Sequence, residues 1–220
     1  MGSMITLTAK DGHAFEAYVA EPKGEPKAGL VVIQEIFGVN DHMREVTDEF
    51  AEQGYLAICP AFFDRVEPKL VLSYSDFGRG RDIVGQITDD AVLADINAAA
   101  THVRSAGKVG VIGYCWGGAM AFLGACKADV DCGVSYYGTR LIQYSPGMKP
   151  RVPMQYHYGE TDQSFPMEAV EKVMAEQPEG GHFVYPGADH GFSCTGRPQY
   201  NAEATKLALG RVLAFFEQTL

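Results

Sequence analysis

No apolar run in this chain is long enough to cross a bilayer. The longest, such as Leu30-Val31-Val32-Ile33, fall far short of the roughly 18 residues a spanning helix needs. Basic residues are in short supply: 18 Lys and Arg stand against 28 Asp and Glu, a formal net charge of −10, and they are scattered. Nucleic-acid binders take most of their affinity from the phosphate backbone, so this balance argues against them, and its sign argues equally against an anionic membrane surface. It leaves room for an anionic small substrate, because a local Arg can dominate a pocket. Cysteine pairing signals are also missing. Cys59, Cys115, Cys126, Cys132 and Cys194 are odd in number, with no CxxC and no metal-ligand spacing. Free thiols in a reducing compartment follow, most of them inert core residues. Repeats, low-complexity tracts and Ser/Gly linkers are absent. No charged-then-apolar leader opens the chain; Met1-Gly2-Ser3-Met4 reads as a cloning scar before a native start at Met4. The expectation is one cytoplasmic domain over residues 4–220.

What is present is an alternation of short β-rich runs with longer helical patterns. Residues 29–33, 55–59, 109–114, 132–137, 152–158 and 182–185 read as strands bounded by Gly and Pro, apolar enough to be buried on both faces. Residues 41–54, 88–105, 117–128, 168–176 and 202–216 carry apolar positions at helical steps. Such alternation predicts an α/β domain with a mostly parallel sheet, whose active site lies at the carboxyl ends of the strands.

The strand over 109–114 runs into Gly113-Tyr114-Cys115-Trp116-Gly117-Gly118 and then a small-residue helix. This is a G-x-C-x-G version of the nucleophile elbow, in which a sharp turn exposes the central side chain and flanking glycines prevent clashes. The helix start adds backbone N–H groups and a positive dipole end that favour an anionic sulfur. In this fold an acid and then a His follow the nucleophile. Asp162 lies just past the 152–158 strand and His190 just past the 182–185 strand, so Cys115, Asp162, His190 stand in the right order. Glu160 is an alternative acid, and Asp189 shares the loop of His190. His157, within a strand, reads as packed structure; His13, His42, His102 and His182 read as solvated residues of turns and helix surfaces. The first central strand ends in Gln34-Glu35-Ile36-Phe37-Gly38. Glu35 either turns to solvent or stands near Cys115, where a carboxylate disfavours a thiolate or accepts the thiol proton. The backbone amides of Ile36 and Trp116 are the expected oxyanion donors.

Together with Tyr136-Tyr137-Gly138 and Ala188-Asp189-His190-Gly191-Phe192, these motifs resemble the dienelactone hydrolases (carboxymethylenebutenolidases), from about Met4 to the last residue. The resemblance implies an α/β-hydrolase fold, a monomer acting without metal or cofactor, and a small-molecule lactone or ester as substrate. It implies the catalytic set Cys115, Asp162 and His190, with Glu35 pairing the neutral resting thiol and helping to deprotonate it once substrate enters. The thiolate then opens the lactone, and the released enolate can assist thioester hydrolysis. Members that open dienelactone carry an Arg shortly after the catalytic His, gripping the substrate carboxylate. Here that position is Cys194, which leaves Arg197 as a candidate; Arg79 and Arg81 are candidates for a second Arg, and Tyr137 for substrate contact. Other readings are a carboxylesterase or thioesterase of different scope, and a non-catalytic redox or ligand-binding protein with Cys115 as sensor thiol.

Overall fold

The wholly buried run Gly29–Ile33 is a strand in the computed structural model, which describes residues 2–220. It is the third of eight. With β1 (Ser3–Thr8), β2 (Ala14–Ala20), β3 (Gly29–Ile33), β4 (Leu56–Pro60), β5 (Val109–Tyr114), β6 (Cys132–Tyr136), β7 (Met154–Gly159) and β8 (Gly181–Tyr185) assigned, one sheet forms in the order β1-β2-β4-β3-β5-β6-β7-β8. From β4 to β8 every pairing is parallel, as the apolar runs predict. The β1–β2 and β2–β4 pairings are antiparallel, and neither β1 nor β2 is evident from such runs. β1 shows why: an edge strand with no buried residue offers no continuous apolar signal. The presumed scar takes part in the fold. Ser3 opens β1 opposite Val19, and the Gly2 amide donates to the Tyr18 hydroxyl at 2.8 Å.

The helices are α1 (Asp41–Glu52), α2 (Phe77–Gln86), α3 (Asp89–Val103), α4 (Trp116–Lys127), α5 (Leu141–Tyr144), α6 (Met167–Glu176) and α7 (Ala202–Thr219). Three begin where a side chain caps the first turn: Asn40, Thr88 and Asn201 accept from the amides of Met43, Ala91 and Ala204, each cap worth about 1 kcal/mol. Neighbouring strand residues face opposite sides of a sheet. Gly110 faces Leu220, just past α7, whereas Val111 faces Gly124 of α4, so α7 and α4 cover opposite faces. α1 joins α7 through Phe50 and Phe216, 6.1 Å between ring centroids; α3 joins α4 where Ile96 meets Gly124. This is an α/β-hydrolase architecture. α2 has no counterpart among the helical patterns of the sequence, because Gly78, Gly80 and Gly85 depress its propensity.

All five cysteines are free and buried. Among the described residues, no helix is long and apolar enough to cross a membrane. Two histidines differ from expectation. His42 is buried in α1, and burial, aided by the Arg197 charge, pushes its ring down to about 4. His182 belongs to β8 and bonds the Gln177 carbonyl at 2.8 Å. His157 is packed as predicted, held between Tyr185 and Gln155, and burial pushes it down to about 3.

Candidate active site

The parallel strands bring the loops after β3, β5, β6, β7 and β8 to one edge of the sheet. Between β5 and α4, Cys115 adopts φ 57° and ψ −119°, a left-handed backbone that costs a non-glycine residue about 1–3 kcal/mol. Close approach holds it there. A Cβ on Gly113 would lie 1.9 Å from the Gly117 carbonyl oxygen, and one on Gly117 would lie 2.4 Å from that of Gln34. The Cys115 amide donates to the Tyr136 carbonyl at 3.0 Å, tying the turn to β6.

His190 Nε2 stands 3.1 Å from the Cys115 sulfur, and His190 Nδ1 stands 2.8 Å from Asp162 Oδ2. The other Asp162 oxygen accepts from the amides of Ser164 and Phe165, at 2.7 and 3.0 Å, which fixes the carboxylate as an acceptor toward the ring. Cys115, Asp162 and His190 are all buried. Burial alone would drive His190 toward neutrality, but its interactions with the Cys115 sulfur and the Asp162 carboxylate outweigh it and hold its pKa up at about 10. The alternative acids lie elsewhere: Glu160 is exposed and accepts from the Gly187 amide, and Asp189 accepts from the backbone of His190 itself.

Glu35 does not turn to solvent; it is 1% exposed, and neither carboxyl oxygen has a hydrogen-bond partner among the described residues. Burial raises its pKa above the ordinary range, against the opposing charges of Arg197 and His190. Arg197 Nη1 stands 3.9 Å away. Glu35 is thus not hydrogen-bonded to the sulfur, whose partner is His190. The Tyr137 hydroxyl bonds Ser193 at 2.7 Å, and its ring meets that of His190 edge-on at 5.1 Å. Cys194 is engaged by the Tyr74 hydroxyl at 3.1 Å, and burial, with the nearby Glu35 charge, pushes its thiol up to about 11.

A cavity of about 320 Å³ opens onto Cys115, with Ile36, Trp116, Arg81 and Arg140 among its walls. Trp116 opens α4, so its N–H has no intrahelical acceptor. Arg81 comes to the cavity because α2 closes on the loop after β3: a Cβ on Gly80 would lie 2.1 Å from the Ile36 carbonyl oxygen. Arg79 does not reach it; its guanidinium is exposed and pairs with Glu67 at 2.7 Å. Arg197 lies behind the cavity, on Gly191 and Glu35. The sequence reading missed Arg140. Its only signal was position, two residues past the β6 motif Tyr136-Tyr137-Gly138. A larger hollow of about 620 Å³, beside the start of β7, contains none of these residues. Among the described residues, no group of three His, Cys, Asp or Glu side chains is placed to hold a metal ion.

The profile of the dienelactone hydrolase family matches residues 15–220. The carboxymethylenebutenolidase of Pseudomonas putida is 36% identical, over 96% of this chain and 94% of the relative. A crystal structure assigned as a dienelactone hydrolase, from Klebsiella pneumoniae subsp. pneumoniae, superposes with a TM-score of 0.84 at 29% identity, covering 98% of this chain and 99% of that one. A dienelactone hydrolase-like promiscuous phosphotriesterase from metagenomic libraries shares the fold, with a TM-score of 0.74 at 22% identity over 99% and 98% of the two chains.

Proposed function

This chain belongs to the dienelactone hydrolase family, and from that membership we propose that it opens lactones and cleaves activated carboxylic esters through a thioester on Cys115. One observation carries the reading: a buried sulfur, 3.1 Å from an imidazole that Asp162 orients, faces a cavity. The sulfur is the nucleophile. His190, held charged by its two neighbours, stabilises the thiolate that attacks.

The Cys115 lone pair attacks the carbonyl carbon, and the carbonyl π electrons move to oxygen. The Ile36 and Trp116 amides hold that oxyanion, each such donor being worth roughly 2.7–4 kcal/mol to the transition state. Collapse breaks the ring C–O bond and leaves a thioester; the departing oxygen, an enolate in an enol lactone, takes the His190 proton. Neutral His190 then removes a proton from water, the hydroxide attacks the thioester, and carboxylic acid, thiolate and imidazolium result. Glu35 acts on the sulfur electrostatically. Ionised, it opposes the thiolate; protonated, as its burial favours, it leaves the thiolate to His190.

The test compares native protein with Cys115→Ser on a dienelactone, p-nitrophenyl esters and acyl thioesters. The Ser variant keeps the fold and loses most turnover, because an alkoxide is much harder to form than a thiolate. An acyl adduct on Cys115 appears in mass spectra of the native enzyme during turnover. Comparable turnover by the Ser variant, or no hydrolysis by the native protein, overturns the reading.

A further inference from the structure

The chain has nine arginines. Arg65, Arg79, Arg104 and Arg197 face carboxylates. Arg151 donates to the Ala128 carbonyl, and Arg44 and Arg211 lie over aromatic rings. Arg81 and Arg140 remain. Among the described residues, neither guanidinium has a hydrogen bond, an ion pair or a ring beneath it. Both line the cavity that holds Cys115.

A protein with ten more acidic than basic residues has carboxylates to spare for neutralising a surface Arg. None is placed here. The other polar side chains lining the cavity are Thr139, Gln143 and Ser164, all uncharged, and the Cys115 sulfur, so the wall carries two arginine charges and no carboxylate. Arg197 is committed elsewhere, 3.9 Å from Glu35 and packed on Gly191. A guanidinium presents a planar fork of donors that matches a carboxylate bidentately.

We propose that Arg140, at the turn between β6 and α5, is a specificity residue that works with Arg81 to hold a carboxylate on the substrate. The assignment rests on the hydrolytic reading above, and its test separates the two. A lactone bearing a free carboxylate, 4-(carboxymethylene)but-2-en-4-olide, is compared with its methyl ester, which keeps the same ring chemistry without the charge. Separately, Cys115 is alkylated with iodoacetate and with iodoacetamide, the sulfur displacing iodide in both, and the adduct is followed by mass spectrometry.

In Arg140→Ala, the ratio of kcat/KM for the acid over the methyl ester falls about tenfold, the scale of one charge-assisted hydrogen bond. The fall lies in KM for the acid rather than in kcat. The iodoacetate-to-iodoacetamide rate ratio drops severalfold. Arg140→Lys recovers part of both ratios, and Arg79→Ala, outside the cavity, matches native protein. Ratios within about twofold of native for a folded Arg140→Ala, in either assay, overturn the assignment. If native protein hydrolyses neither lactone, the hydrolytic reading falls while the alkylation ratio still decides what Arg140 does.

Discussion

Replacing Glu35 by Gln converts its burial into a measurable slope. The side chain is 1% exposed, both oxygens lack hydrogen bonds, and burial raises the pKa in the native state. In the unfolded chain the same carboxyl ionises at about 4.3. The native state therefore keeps a proton that the unfolded state gives up. Stability contributed by Glu35 is complete below the unfolded pKa and is lost as pH rises, until native Glu35 itself ionises. The loss runs at up to ~1.4 kcal/mol per pH unit. Gln has nearly the same shape and no proton to lose, so the stability of Glu35→Gln relative to native protein climbs at that slope. Arg197, 3.9 Å away, pulls the native pKa down and sets an offset in the variant, so the slope decides and the intercept does not. Urea unfolding in steps from pH 4.5 to 8 reads it directly. With an m-value of roughly 2–3 kcal/mol/M, each pH unit separates the two midpoints by a further ~0.5–0.7 M. The pH at which separation stops is the native pKa of Glu35. Midpoints that run parallel across the range would refute a raised pKa, and a native protein that gains on the variant with pH would show an ionised, well-paired carboxylate.

Further predictions concern the charged ring and the elbow. Nitrogen NMR of His190 should show a protonated ring at neutral pH that loses its proton near 10; because that pKa is raised, its stabilising contribution is complete below about 6.5 and is lost as pH rises through the native value. A neutral ring at pH 7 would remove the ion pair. Asp162→Asn should lower kcat by at least ~100-fold, since an amide can donate to Nδ1 and reverse the tautomer, and turnover close to native would free Asp162 from the mechanism. Gly117→Ala should cost more than ~3 kcal/mol, because its Cβ would meet backbone carbonyl oxygens of Gln34 and Ile33 that cannot move aside. An unchanged melting temperature would refute that packing.

The elbow was legible because its chemistry forces its sequence. Backbone crosses backbone so closely at Gly113 and Gly117 that no other residue fits, and Asp162 and His190 fall just past strand ends in the expected order. The parallel strands were legible because burial on both faces leaves uninterrupted apolar runs. β1 was not, since an edge strand with no buried residue carries only alternation. α2 was not, since its helix survives three glycines through contact with the loop after β3, which sequence spacing does not reveal. Arg140 escaped for a related reason. Nothing local distinguishes it from Arg79; one is turned into a cavity by the β6–α5 turn, the other outward to Glu67.

Charge counting ties these residues together. With the Cys115 sulfur as the thiolate of the proposed mechanism, it and Asp162 supply two negative charges, and His190 and Arg197 supply two positive ones. If Glu35 stays protonated, that buried group is neutral; if it ionises, the group carries a charge that burial penalises. Arg81 and Arg140 stand outside this balance, on the cavity wall, with no carboxylate among the lining residues to neutralise them. On the proposed reading a substrate carboxylate does so, and the balance behind the wall need not change for it to bind. The structure thus separates holding the substrate from holding the thiolate. Changes at Arg140 then register in KM, changes at Glu35 register in the pH dependence of the sulfur, and a double variant should show the two effects adding, as sites without shared partners do. Coupling well beyond ~0.5 kcal/mol would mean that one charge network serves both tasks.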